Sequence, residues 1–91
     1  MYDTSLDNIW NAEIRFDEDD THTHATIRAR FAGVTITAAG DAYRNPSDTS
    51  QPMIGEEIAA ARALIALGTE LLQSASARIE QSTHHPVHLR G

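Results

Sequence analysis

Apolar positions in this chain follow two different periods. From 9 to 16 they alternate: Trp10, Ala12, Ile14 and Phe16 share one face, and Asn11, Glu13 and Arg15 share the other. That alternation predicts a strand with one buried and one wet face. From 23 to 31 Ala25, Ile27, Ala29 and Phe31 repeat it, with His24, Thr26, Arg28 and Arg30 outward. From 34 to 39 Val34, Ile36 and Ala38 point in while Thr35 and Thr37 point out. Asp17-Glu18-Asp19-Asp20 and Ala32-Gly33 read as the turns between these strands. Glycine tolerates the positive φ that a tight hairpin needs.

The period then changes. Positions 40–53 carry Asn45-Pro46 and Gln51-Pro52 and no periodicity, which predicts a long loop. From 54 to 81, Ile54, Ile58, Ala61, Ile65, Gly68, Leu72, Ala75 and Ile79 recur at steps of four and three, and Leu64 and Leu71 widen the stripe. This is the signature of an amphipathic helix. Ile58, Ala61, Ile65, Gly68, Leu72 and Ala75 read as its packing face, against the sheet or against a second helix. Gly68 costs that helix roughly 1 kcal/mol relative to alanine, and a close backbone approach would offset the loss. Glu56 and Glu57 read as first-turn residues, where negative charge suits the helix dipole. Pro86 stops any helix in the tail. The fold class expected is therefore α+β, a three-stranded antiparallel meander packed against one long C-terminal helix. A single domain would cover 9–81, between a flexible N-terminus at 1–8 and a tail at 82–91.

Composition narrows the function. A chain of 91 residues makes one domain with a modest core, so association with a second copy would help it. Thirteen acidic residues against seven basic ones give a net charge of -6, and every basic residue is arginine. Such a chain is a poor candidate for holding nucleic acid by bulk charge. The absence of cysteine excludes disulfides, thiol catalysis and cysteine-ligated zinc. The chain shows no apolar run expected to span a bilayer and no opening signal peptide, which predicts a cytoplasmic protein.

Candidate chemistry is sparse. The acidic run at 17–20 lacks the glycine and closing glutamate of a calcium loop and reads as a solvated turn. His84, His85 and His88 could ligate a metal together with His22 or His24, but Pro86 breaks the helix that would align the first three, and an exposed polar tail is the plainer reading. Arg15, Arg28 and Arg30 share the open sheet face; they could grip phosphate through guanidinium forks or simply pair with Glu13. Tyr43, Arg44 and Asn45 suit a partner or a nucleotide, unless Arg44 ties the loop to Glu56 or Glu57. Arg62 reads as a solvated or loop-tying charge. No nucleophile elbow, glycine-rich phosphate loop or carboxylate pair in a cleft supports catalysis. No catalytic, cofactor or metal residue is assigned.

One resemblance covers nearly the whole chain, from about Trp10 to Leu89. Ala42, Arg44, Asn45, Pro46 and Asp48 are followed by Pro52, Ile54, Gly55, Glu56 and Glu57. Ala61, Arg62, Ala63, Leu64 and Leu67 come next, then Ile79, Glu80, Thr83 and His84. In this order they resemble the actinobacterial domain-of-unknown-function 1876 family. Tyr43 departs from that pattern, which has a small or basic residue there. The resemblance implies a fold similar to double-stranded-RNA-binding domains, no assigned activity, an association of some members with hypoxia or dormancy, and a likeness to part of ribosome-hibernation factors. RNA binders of that fold hold phosphate with lysines at the start of the C-terminal helix; this chain has Glu56 and Glu57 there. Three readings follow. The first is a non-enzymatic interaction module, a homodimer acting in stress or dormancy physiology through a protein partner or itself. The alternative is a ribosome or RNA binder using the sheet arginines, and the third is a small enzyme or metal protein using the histidines.

Overall fold

The computed structural model describes residues 9–45, 47, 51–84 and 86–89. The N-terminal segment 1–8, expected to be loose, lies outside the described residues. Three strands, β1 (Asn11–Glu18), β2 (His22–Phe31) and β3 (Val34–Tyr43), precede one helix, α1 (Pro52–Thr83). The sheet is antiparallel in the order β1-β2-β3. This is the expected α+β meander with its C-terminal helix.

The registers follow the alternation. Ile14 faces Ile27 and Phe16 faces Ala25 across β1 and β2; Ala29 faces Ile36 and Ile27 faces Ala38 across β2 and β3. The β2–β3 reversal has Ala32 at φ 48 and Gly33 at φ 76. Positive φ at both central residues matches the right-handed twist of a two-residue hairpin.

β3 is longer than its hydrophobicity suggests. It runs on through Gly40, Asp41, Ala42 and Tyr43, which were expected to open the loop. Gly40 and Ala42 are buried beneath the helix, and Asp41 and Tyr43 continue the outer face. The alternation persists there, but its inward members are too small to register as a hydrophobic signal. Gly40 has a steric reason: a Cβ on it would lie 2.3 Å from the Ala63 nitrogen and 2.5 Å from the Ala59 carbonyl oxygen. The helix backbone rests directly on β3.

The helix meets the sheet through Ala59, Ala63 and Leu67, one residue per turn. They join Ala25, Ile27, Ala29 and Ala42 in the core, with Ile36, Ala38 and Leu71 around it. The helix lies over β3 and β2 rather than β1, so Ile14 and Phe16 stay more than a third exposed. Trp10 stacks on Phe31 with ring centroids 3.9 Å apart, closing the sheet's far end.

Two boundary expectations change. The helix starts at Pro52, where proline's fixed φ suits the first position. Glu56 and Glu57 therefore lie in the second turn, and the dipole argument for them lapses. At the other end the helix reaches Thr83, and His84 closes it in the left-handed region, its N–H bonded to the Glu80 carbonyl at 2.7 Å. By length and composition this helix also passes as a membrane span, contrary to expectation. In this chain, however, one of its faces is committed to the sheet.

Candidate functional site

The outer face of the sheet carries the polar residues that alternation leaves outside. Glu13 and Arg28 are cross-strand partners, and Arg28 Nη2 donates to Glu13 Oε1 at 3.1 Å. Arg15 and Arg28 line one shallow hollow of about 200 Å³ together with Glu13, Thr26 and Thr37. Arg30 sits one outward position beyond, opposite Asn11. The arginines thus share a face, but a carboxylate already holds the central one.

Further along the same face lies a cluster that the sequence did not announce. His22 and His24 are successive outward residues of β2, and His24 pairs with Asp41 across β3. His22 Nε2 and His24 Nδ1 each lie 2.7 Å from Asp41 Oδ1. The hydrogen bonds from His24 and then His22 hold the Asp41 carboxyl below its ordinary pKa. Tyr43 stacks on the His22 ring at 4.5 Å, nearly parallel to it. The sheet histidines are thus engaged with Asp41. His84 caps the opposite end of a 32-residue helix, about 48 Å long at 1.5 Å per residue. His85 lies outside the described residues.

A third place is the cleft of about 560 Å³ between the β1–β2 turn, the end of β3 and the start of the helix. Asp19 shapes the turn by accepting from the backbone N–H groups of Thr21 and His22, each at 2.9 Å. The first of these bonds does most to lower its pKa. Arg44 lines the cleft. Its N–H bonds the Thr21 carbonyl at 2.8 Å, and its guanidinium donates to the backbone carbonyls of Asp20 and Asn45. Asn45 in turn accepts from Ser47 N at 3.0 Å. Tyr43, expected in the loop, instead ends β3, and Arg44 stitches the end of that strand to the β1–β2 turn. Arg62 ties the helix to β3 rather than to the loop, donating to the Asp41 carbonyl at 2.7 Å.

Glu18 and Glu56 meet beside this cleft. Desolvation first, then the hydrogen bond and charge of Glu18, raise the Glu56 pKa above its ordinary value of 4.5. A carboxyl whose pKa is higher folded than unfolded stabilises the fold most below its unfolded pKa. That contribution is lost as pH rises through the folded value. Glu56→Gln is therefore expected to raise the melting temperature slightly at neutral pH, with the gain fading below about pH 4. A thermal melt series over pH checks this; an equal gain at every pH would remove the Glu18–Glu56 pair as its source.

The last surface is the outward face of the helix. At 100° per residue, Ile65 lies on the side opposite Ala63, and Ile54, Ile58, Ala61, Gly68, Leu72, Ala75 and Ile79 follow it. Ile65 is 70% exposed, Ile54 51% and Ile58 41%. The stripe expected to pack thus stays outside the core, which takes Ala59, Ala63 and Leu67 instead; its first members Ile54 and Ile58 line the cleft, and Gly68, Leu72 and Ala75 are half-buried. A Cβ on Gly68 would meet nothing within 4 Å. Of the two approaches that could offset that glycine, the sheet is ruled out.

Residues 8–88 match a family model described as Rv2632c-like. Over 80 residues the chain is 38% identical to the uncharacterized protein Mb1767 of Mycobacterium bovis, covering 88% of this chain and 85% of that one. It is 39% identical over 75 residues to the uncharacterized protein Rv2632c of Mycobacterium tuberculosis, 82% and 81% of the two chains. The crystal structure of Rv2632c superposes with a TM-score of 0.77 at 36% identity, covering 86% of this chain and 93% of that one.

Proposed function

We propose, on the premise that this chain belongs to the Rv2632c-like family, that it is a non-enzymatic interaction module whose working form is a homodimer joined through α1. The observation that carries this reading is the apolar stripe on the helix face turned away from the sheet. Its spacing is a heptad seam. Ile58, Ile65, Leu72 and Ile79 take one set of core positions, and Ile54, Ala61, Gly68 and Ala75 take the other.

The seam is complementary to itself when a second copy runs antiparallel. In that register Ile58 meets Ala75 of the second copy, Ile65 meets Gly68, Leu72 meets Ala61, and Ile54 meets Ile79. Three of these layers set a large side chain against a small one. The flanking positions agree: Glu57 faces Arg78 of the second copy, Leu64 faces Leu71, Arg62 faces Thr69, and no like charges meet. A parallel pairing would set isoleucine on isoleucine and glycine on glycine, leaving layers of unequal width. Small residues at alternate layers let two helices approach closely, which supplies the reason for Gly68. The result is a sheet–helix–helix–sheet stack, with the outer sheet faces free for other partners.

Stress or dormancy physiology is the setting the resemblance suggests. A ribosome-binding role through Arg15, Arg28 and Arg30 stands below self-association, because Glu13 occupies Arg28 and the chain is acidic overall. Sedimentation equilibrium on the purified chain tests the reading. A dimer equally stable at low and high salt is expected, since apolar contacts are not screened. A monomer at every accessible concentration would overturn it.

A further inference from the structure

We propose that His22, His24 and Asp41 form a binding site for a divalent transition-metal ion of the zinc, cobalt or nickel type. Strand geometry builds the site. β2 alternation puts both imidazoles on the outer face, and the β2–β3 register puts Asp41 directly across from His24. His22 Nε2 and His24 Nδ1 converge on Asp41 Oδ1 at 2.7 Å each, and one ligand atom from every residue lies within 4.8 Å of the others.

A tetrahedral ion with bonds of about 2.0–2.1 Å holds its ligand atoms about 3.3 Å apart. The ring nitrogens need therefore withdraw from the carboxylate oxygen by about 0.6 Å, and the two nitrogens, within 4.8 Å of each other, need reach the same spacing. Without an ion, the hydrogen bonds to Asp41 keep the ligands gathered. The supports are in place. Tyr43 stacks on His22 and sets its ring plane, and Arg62 Nη1 grips the Asp41 carbonyl from the helix side. Groups that orient a ligand in this way tune affinity.

The donor set decides the class of ion. Two imidazoles and one carboxylate suit borderline transition metals. Calcium wants six to eight oxygens, which this face does not offer. The side chains of His22, His24 and Asp41 are 32%, 40% and 38% exposed, so the remaining coordination positions open to solvent. Asp17, across from His24 on β1, adds a further negative charge beside the site. The site lies on the outer sheet face, and so is independent of the helix seam.

Cobalt(II) titration of the intact chain, freed of any affinity tag, tests the proposal, with visible absorption reporting ligation and zinc competition reporting affinity. One ion per chain is expected. His24→Ala and Asp41→Asn should each weaken binding by about a hundredfold or more. A variant carrying His84→Ala, His85→Ala and His88→Ala should bind as the parent does. The near-isosteric Asp41→Asn keeps the test open if the alanine variant fails to fold, which circular dichroism would reveal. No saturable cobalt binding by the parent would overturn the site. So would a signal that survives His24→Ala and Asp41→Asn, or one that disappears with the tail histidines.

Discussion

Gly40→Ala is expected to destabilise the fold by at least about 3 kcal/mol, at the upper end of what overpacking costs. The new methyl group would lie 2.3 Å from a backbone nitrogen and 2.5 Å from a backbone oxygen of α1. No rotamer change relieves that contact, because both sides are main chain. The helix must lift from β3 as a body, and Ala59 and Ala63 lose their seat together. For a domain of this size 1 kcal/mol corresponds to roughly 4–8 °C, so the melting temperature should fall by more than about 12 °C. Gly55 serves as a control. A Cβ on Gly55 meets the Thr23 hydroxyl at 2.8 Å, a side-chain atom that can rotate away. If Gly40→Ala melts within a few degrees of the parent, the helix does not sit where it is described.

Ile65→Arg is expected to convert the proposed dimer to a monomer without harming the fold. Ile65 is 70% exposed in the single chain, so the substitution removes almost no internal packing. In the proposed antiparallel seam the same residue sits against Gly68 of the second copy, and two-fold symmetry repeats the contact. Each interface would then bury two unpaired charges. At about 2 kcal/mol or more apiece, the dissociation constant should rise by roughly a thousandfold or more. Sedimentation measures the association state, and a thermal melt reports the fold. Gly68→Ala sharpens the test. It should help the isolated helix by roughly 1 kcal/mol yet weaken association, because Ile65 of the second copy needs that space. An Ile65→Arg protein that stays dimeric would place the interface elsewhere.

The sequence made the strands legible wherever the inward residues were large. Ile14, Phe16, Ile27, Phe31 and Ile36 alternate with polar neighbours, and the sheet follows them. The signal failed at the end of β3, where Gly40 and Ala42 are the inward residues. Their smallness is what allows the helix to settle, and it is also what hid the strand. The same failure hid the histidine cluster, since Asp41 pairs with His24 only if β3 continues. His22 and His24 are visible as candidates in the sequence, but the apolar pattern puts their partner Asp41 in a loop.

The helix misled in the opposite way. Its most hydrophobic stripe reads as a packing face, and the stripe stays outside the core. A single-chain reading assumes that the largest apolar residues face the chain's own core. Here alanines serve that purpose, because β3 admits nothing bulkier at Gly40. Of the residues singled out, Tyr43, Arg44 and Asn45 are adjacent in structure as in sequence, and Arg15 and Arg28 share a hollow. Nothing in the composition could show that Glu13 and the Asp20 carbonyl already occupy Arg28 and Arg44.

A core made of Ala25, Ala29, Ala42, Ala59 and Ala63 around Ile27 and Leu67 also bears on how stability varies with temperature. The heat capacity of unfolding scales with the apolar surface that unfolding exposes. Alanines contribute little of it, so the single chain should have a shallow stability curve with a modest maximum. In the proposed dimer, added curvature would come from Ile58 and Ile65, which the single chain leaves exposed.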